Sequence, residues 1–187
     1  RSRFVSGVEV SIIYGTSSGE FLYGTGQADT VTGNGGSDRY QGLGGDDSLI
    51  GGADTDMFEN SAGNDTALGG DGDDIFVYFS MNSAILDEET WHGQGGNDLL
   101  WLSVSEPIDV TFDARRTSDG FGHGPFGLRF AGIEFFRVDT GSGHDRVFTL
   151  KGNDTANVGA GNDFVHSGSG SDLLYGNSGE DSLRAGA

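Results

Sequence analysis

From Gly15 onward the chain returns to nearly the same phrase every nine residues. Residues 15–77 fill seven unbroken rows, from GTSSGEFLY to GGDGDDIFV. GQGGNDLLW occupies 93–101, and five more rows, TGSGHDRVF to GNSGEDSLR, fill 140–184. Across these thirteen rows the sixth position is Asp in twelve and Glu20 in the first, and the fourth is Gly in ten. The eighth is Leu22, Val31, Tyr40, Leu49, Phe58, Ala67, Phe76, Leu100, Val147, Ala156, Val165, Leu174 and Leu183, with no charge among them. A flexible linker has no reason to hold two columns in phase over so long a run, so the period is structural.

A row of nine residues cannot bury a core of its own. Positions seven to nine suffice for a very short strand, whose eighth side chain points one way and whose neighbours point the other. Stacked rows bury one another's eighth residue, as in a solenoid. Positions one to six must then reverse the chain, and Gly accepts the positive φ and close backbone approach that such turns need. Two rows make one coil, and successive coils pair in parallel to give two facing sheets. Coils about 4.8 Å apart bring each sixth-position carboxylate near the one two rows on. Such a column repels itself unless a cation lies between the turns. Calcium suits this place, since it takes about six to eight oxygens from carboxylates and backbone carbonyls in flexible geometry. The composition agrees: 29 acidic against 10 basic groups leave a formal charge of −19, and 35 residues are Gly.

These rows resemble the RTX (repeats-in-toxin, haemolysin-type) calcium-binding nonapeptide, G-G-x-G-x-D-x-U-x with U apolar. The resemblance implies an all-β fold, a right-handed parallel β-roll (solenoid), in a secreted bacterial protein that leaves by type I secretion. It implies that each Ca2+ lies between turn n and turn n+2. The first turn gives the carbonyls of positions two and four and its Asp; the second gives the carbonyls of positions one and three and its own Asp. On one side of the roll this pairs Asn34, Gly36 and Asp38 with Gly51, Ala53 and Asp56, then Gly52, Asp54 and Asp56 with Gly69, Asp71 and Asp74. On the other it pairs Thr25, Gln27 and Asp29 with Gly42, Gly44 and Asp47, then Leu43, Gly45 and Asp47 with Asn60, Ala62 and Asp65. In the last block Gly141, Gly143 and Asp145 face Val158, Ala160 and Asp163; Leu150, Gly152 and Asp154 face Ser167, Ser169 and Asp172; Gly159, Gly161 and Asp163 face Gly176, Ser178 and Asp181. Across the first insert, Ser61, Gly63 and Asp65 are expected to meet Gly93, Gly95 and Asp98. The implied load is roughly eight ions, with an expanded apo chain that folds as calcium binds. Glu20 and Ser18 depart from the pattern in the first row, and Gln27 and Asp54 stand where Gly is usual, which makes those turns harder to close.

The sequence predicts one domain over 1–187 with two inserts. Residues 78–92 widen one turn, with Trp91 and His92 in a packed lid on the end of a coil. Residues 102–139 hold LSVSEPIDVTFDA, read as two short strands around Pro107, and GIEFFRV at 132–138, read as a strand leading back into the roll. Between them 115–130 is expected to protrude as a loop or hairpin. It carries Arg115, Arg116 and Arg129 among Phe121, Phe126 and Phe130. The Phe side chains can cap the roll while the Arg residues answer its acidity. The second functional reading is a glycan- or surface-binding module that grips an anionic polysaccharide with this insert, as alginate-epimerase accessory modules of the same architecture suggest.

Other functions find little support. At this charge a nucleic-acid or anionic-membrane partner is excluded, because phosphate contacts need a basic face. No apolar run reaches the length of a membrane span. Without Cys there are no disulfides or thiolate sites. GTSSG at 15–19 matches G-x-S-x-G around Ser17 but lies inside a nine-residue row rather than in a strand–turn–helix. GHGPFG at 122–127 matches G-x-G-x-x-G without a βαβ unit around it. The isolated chain is read as non-catalytic, the chain's opening RSRFV as the start of an excised piece, and a catalytic domain can precede it in the parent protein.

Overall fold

The computed structural model describes residues 3–5, 8–59, 61–80, 87–115 and 120–186. They form two sheets. The first, of twelve strands, runs in the order β1 (Arg3–Val5), β2 (Val8–Tyr14), β4 (Asp29–Thr32), β6 (Ser48–Ala53), β8 (Thr66–Asp71), β10 (Thr90–Gly95), β14 (Arg129–Ala131), β13 (Gly122–His123), β12 (Thr111–Asp113), β16 (Arg146–Phe148), β18 (Phe164–Gly168) and β20 (Ser182–Ala185). The second, of eight, runs β3 (Phe21–Tyr23), β5 (Arg39–Gln41), β7 (Met57–Glu59), β9 (Ile75–Ser80), β11 (Leu99–Val104), β15 (Phe135–Asp139), β17 (Thr155–Asn157) and β19 (Leu173–Tyr175). Outside the second insert and the antiparallel β1–β2 pair, successive strands alternate between the sheets, and each pairs in parallel with the strand one coil on: Val31 with Leu49, Tyr40 with Phe58, Val165 with Leu183. This is a parallel β-roll.

The eighth-position column is the core. Val31, Tyr40, Phe58, Ala67, Phe76, Leu100, Val147 and Val165 are all fully buried. Tyr40, Phe58 and Phe76 stack face to face with centroids 4.6 and 5.0 Å apart, and Trp91 continues the stack at 5.7 Å from Phe76. In the facing sheet the corresponding residues are the smaller Val31, Leu49 and Ala67. Over these coils large residues on one wall oppose small ones on the other, until Trp91 of β10 extends the stack from the wall of Ala67.

The first insert is not a lid. Thr90, Trp91 and His92 pair with Thr66, Ala67 and Leu68, so they occupy positions seven to nine of a further row at 84–92. Trp91 is its eighth residue and lies in the core, 1 % exposed. Residues 81–86 of the expected lid lie outside the described residues.

The second insert folds into the sheet instead of protruding. β12, β13 and β14 form an antiparallel meander, and it sits between β10 and β16, both of which run parallel to their neighbours in it. Phe130 belongs to the core with Phe112 and Phe136, which explains why this aromatic-rich segment turns inward. Arg116 of the expected loop lies outside the described residues. In the other sheet β15 bridges the two blocks of rows directly. It meets β11 with Phe136 opposite Leu100, but meets β17 with Val138 opposite Ala156. The offset is two residues. Side chains alternate with period two, so this slip keeps Phe136 and Val138 both pointing inward, whereas a slip of one would have turned the strand over.

Candidate metal centre

The turns between the sheets bring the sixth-position acids into two columns, one along each side of the roll. Asp29, Asp145 and Asp154 accept the amides of Ser11, Val110 and Phe136, and each Asp that follows another acid in its column is held by that acid's amide. Its Oδ1 accepts the backbone N–H of the sixth residue one coil earlier: Asp29 N–H to Asp47, Asp47 to Asp65, Asp38 to Asp56, Asp56 to Asp74 and Asp74 to Asp98, at 2.8–2.9 Å. In the second block Asp145 N–H donates to Asp163, Asp154 to Asp172 and Asp163 to Asp181, at 2.9–3.1 Å. These eight links join Asp to Asp. Glutamate stands at column ends: Glu20 N–H donates to Asp38, Asp98 N–H to Glu134, and Asp65 N–H to Glu89.

The second oxygen is left over. Oδ2 of Asp47, Asp56, Asp74, Asp98, Asp154 and Asp163 is buried and has no hydrogen-bond partner. A buried carboxylate oxygen without a partner costs several kcal/mol unless a proton or cation meets it. In four turns a hydroxyl meets it: Thr25 to Asp29, Ser61 to Asp65, Thr140 to Asp145 and Ser167 to Asp172, at 2.5–2.9 Å, whereas the Thr149 hydroxyl beside Asp154 donates to the Ser167 carbonyl at 2.8 Å. Burial pushes Asp47 and Asp56 up to about 7 and Asp98 and Asp154 up to about 6, and the next carboxylate in the column adds to the effect. Asp38, Asp65, Asp74 and Asp163 rise for the same first reason. Burial thus favours the protonated form of these carboxyls unless a cation meets them.

The glycines of position one make the space beside these oxygens. A Cβ on Gly42, Gly51, Gly69 or Gly93 would stand 2.0–2.3 Å from Oδ2 of its own row's Asp, and on Gly51 or Gly93 also 2.1–2.3 Å from the carbonyl one coil on. In these four rows only a residue without Cβ fits, whereas the rows of Asp154 and Asp163 carry Thr149 and Val158 at that position. Positions two and four carry the left-handed turns, at Gly52, Gly63, Gly72 and Gly161 among others. Asp54 adopts φ +72° there without being Gly, whereas Gln27 does not enter the left-handed region. Position-two carbonyls of Thr25, Leu43, Gly141, Leu150 and Gly159 each accept one amide from the next coil, which leaves each a second lone pair. Among the described residues no three Asp, Glu or His side chains converge at metal distance. An ion between the turns therefore has to draw on carbonyls as well as on two carboxylates, which is the donor set calcium accepts and transition metals do not favour.

The structure places the expected residues as follows. The turns of Asn34, Gly36 and Asp38 and of Gly51, Ala53 and Asp56 stack on one another, as do the other expected pairs within each block. Asn60 lies outside the described residues. One pairing is corrected. The turn with Gly93, Gly95 and Asp98 stacks on that with Gly70, Gly72 and Asp74, not on that with Ser61, Gly63 and Asp65, because the unrecognised row 84–92 takes the place beside Asp65. A second ladder was not legible at all. Fifth-position side chains of Asp46, Asn64, Asp73, Asn153 and Asn162 accept the amide of the fifth residue one coil later, at 2.8–2.9 Å. It runs opposite to the buried ladder and lies in solvent.

The outer face of the twelve-stranded sheet carries cations. Arg115 lies 3.7 Å over Phe148, Arg146 sits against both Phe148 and Phe164, and Arg184 covers Phe164 at 5.3 Å. Arg115 pairs with Asp113, whereas Arg146 and Arg184 have no carboxylate partner among the described residues. No helix among the described residues is long and apolar enough to cross a membrane.

A family of known repeats fits this geometry. The RTX calcium-binding nonapeptide repeat, described over four copies, matches residues 14–49, 32–67, 50–78, 139–174 and 159–187, together well over half of the chain. No curated protein matches the chain.

Proposed function

This chain belongs to the RTX calcium-binding nonapeptide-repeat family, and from that premise we propose that its roll is a folding switch driven by calcium. The repeat domain is a structural calcium-binding module, and proteins with such repeats are typically exported by type I secretion. In this reading the chain stays expanded where calcium is scarce and folds outside the cell, where it stabilises a larger secreted protein. The observation that carries it is the file of six buried Asp oxygens without partners, four of which, on Asp47, Asp56, Asp74 and Asp98, lie against a position-one glycine that has no room for a Cβ.

One ion sits between each pair of linked Asp turns, about eight in all. The carbonyls of positions two and four of one turn, those of positions one and three of the next coil, and the two Asp side chains are its ligands. The pair Gly70, Gly72 and Asp74 with Gly93, Gly95 and Asp98 replaces the one expected across the insert. Eight divalent ions offset most of the −19 charge. The residues' own part is positional: the amide ladder fixes one carboxylate oxygen so that the other faces the ion. Single sites are weak, with dissociation constants on the order of 10⁻⁴–10⁻³ M as in other extracellular modules. The test is far-UV circular dichroism during a calcium titration from chelator. A cooperative gain of β signal near millimolar calcium, absent with magnesium, is expected. A fully folded spectrum in chelator at neutral pH would sink the switch.

A second reading, an anionic-polysaccharide-binding face, is favoured by Arg146 and Arg184. Among the described residues these cations have no carboxylate partner, although the chain is strongly acidic. The face differs from the insert expected from sequence, since Arg115 joins it across Phe148. Polyuronate binding in calcium that disappears in Arg146→Ala plus Arg184→Ala supports this reading, and undiminished binding removes it.

A further inference from the structure

The row at 84–92 lies outside every stretch that matches the family repeat. Its sixth residue is Glu89, which is 1 % exposed. Its carboxylate takes hydrogen bonds from the Asp65 backbone and the Trp91 side chain. Its Oε2 is buried without a partner, the same signature as the Asp column. Coil stacking across this gap is regular: Thr90 N–H donates to Asp65 O at 2.8 Å, as Thr66 N–H donates to Asp47 O at 2.9 Å. Asp65 on the facing turn is buried, with its Oδ2 held by Ser61 Oγ at 2.6 Å. Asp87 adds a further negative charge beside the gap, where its carboxylate accepts the Gly63 N–H at 2.9 Å.

We propose that Asp65 and Glu89, together with the turn carbonyls of Ser61 and Gly63, form a further calcium site that carries the array across the insert and ends its first column. The proposal rests on the calcium reading above and adds a member that no nonapeptide pattern assigns. A carboxylate one methylene longer fits at a column end, where an ion is needed on one face only. Beyond Glu89 the next position on that side is Leu128, whose neighbour Arg129 donates its amide to the Glu89 carbonyl, so an apolar residue and not an acid takes that place. A glutamate kept there merely as a neutral core residue would leave Oε2 facing nothing beside Trp91.

Trp91 supplies the assay. Terbium replaces calcium at hard oxygen sites and emits when a neighbouring indole passes it energy. The only other tryptophan is Trp101, which faces outward under Arg137. In a Trp101→Phe background, excitation of Trp91 is expected to give terbium emission that calcium competes away. Glu89→Gln is expected to cut that emission at least about fivefold and to lower the calcium stoichiometry in calorimetry by one ion, while the calcium-induced β signal remains. Absence of emission in Trp101→Phe protein that still folds with calcium overturns this site and leaves the rest of the array standing. So does a Glu89→Gln protein with unchanged emission and stoichiometry. A chain with no calcium-dependent folding loses both readings together. Should Glu89→Gln fail to fold, the Trp101→Phe measurement alone decides.

Discussion

Gly51→Ala and Gly35→Ala make the same chemical change in turns one coil apart, yet they should behave oppositely. Neither glycine has a left-handed φ, so backbone strain does not separate them. A Cβ on Gly35 meets nothing within 4 Å. A Cβ on Gly51 stands 2.3 Å from Asp56 Oδ2 and 2.3 Å from the Gly69 carbonyl, where ordinary contact begins at 3.4 Å. Each oxygen must retreat by about 1 Å, and one of them belongs to the backbone of the next coil. Overpacking of this kind costs roughly 1–3 kcal/mol. Stiffening the unfolded chain returns about 0.4–1 kcal/mol, so the net loss is about 1–2 kcal/mol. A domain of this size shifts about 2–4 °C per kcal/mol. Thermal unfolding in saturating calcium, followed by circular dichroism, should therefore drop by roughly 2–8 °C for Gly51→Ala. Gly35→Ala, with only the entropic gain, should match wild type or exceed it by a few degrees. Equal melting temperatures for the two variants would refute the claim that position-one glycine exists to keep the gap open.

Metal-free protein should show the pH dependence of a stack of buried acids. Burial raises Asp47 and Asp56 to about 7 and Asp98 and Asp154 to about 6 in the folded state. Their contribution to the folded roll is complete below the unfolded value near 4 and is lost as pH rises through 6–7. Metal-stripped protein should therefore gain β signal between pH 7.5 and 5, and a loss over that range would contradict the assignment. Asp56 serves the gaps on both of its faces, so Asp56→Asn should lower the calorimetric calcium count by about two, and Asp181→Asn by about one. Phe58→Ala removes the middle ring of the Tyr40–Phe58–Phe76 stack and should cost about 3–5 kcal/mol in urea unfolding with calcium present.

The two columns could be read directly because a strict period places the same residue type at the same point of every coil. Row 84–92 escaped for three physical reasons. Glu89 replaces Asp, Ala84 to Leu86 replace the turn glycines, and residues 78–83 shift the phase after row 69–77. The signal was nevertheless present, since stepping back nine residues from Gly93 lands Trp91 on the apolar eighth position and Glu89 on the acidic sixth. β15 obeys both blocks at once. Counted from the first, Phe136 is the inward residue; counted from the second, Val138 is. A sequence repeat cannot announce a strand that belongs to two registers. The meander β12–β14 was partly visible as alternation, but its place inside the sheet depends on Phe130 finding Phe112 and Phe136, a long-range contact that local pattern does not encode.

The buried sixth-position amide-to-carboxylate links all point the same way, from each coil to the one after it in the chain. This gives the roll a polarity. Removing coils from its far end strips the preceding turn of the acid that caps its buried amide, so damage spreads backward. Removing coils from the near end takes away only a donor and some water-exposed fifth-position acceptors. Truncations of equal length should therefore differ, and a shortened roll should tolerate loss of its beginning better than loss of its end.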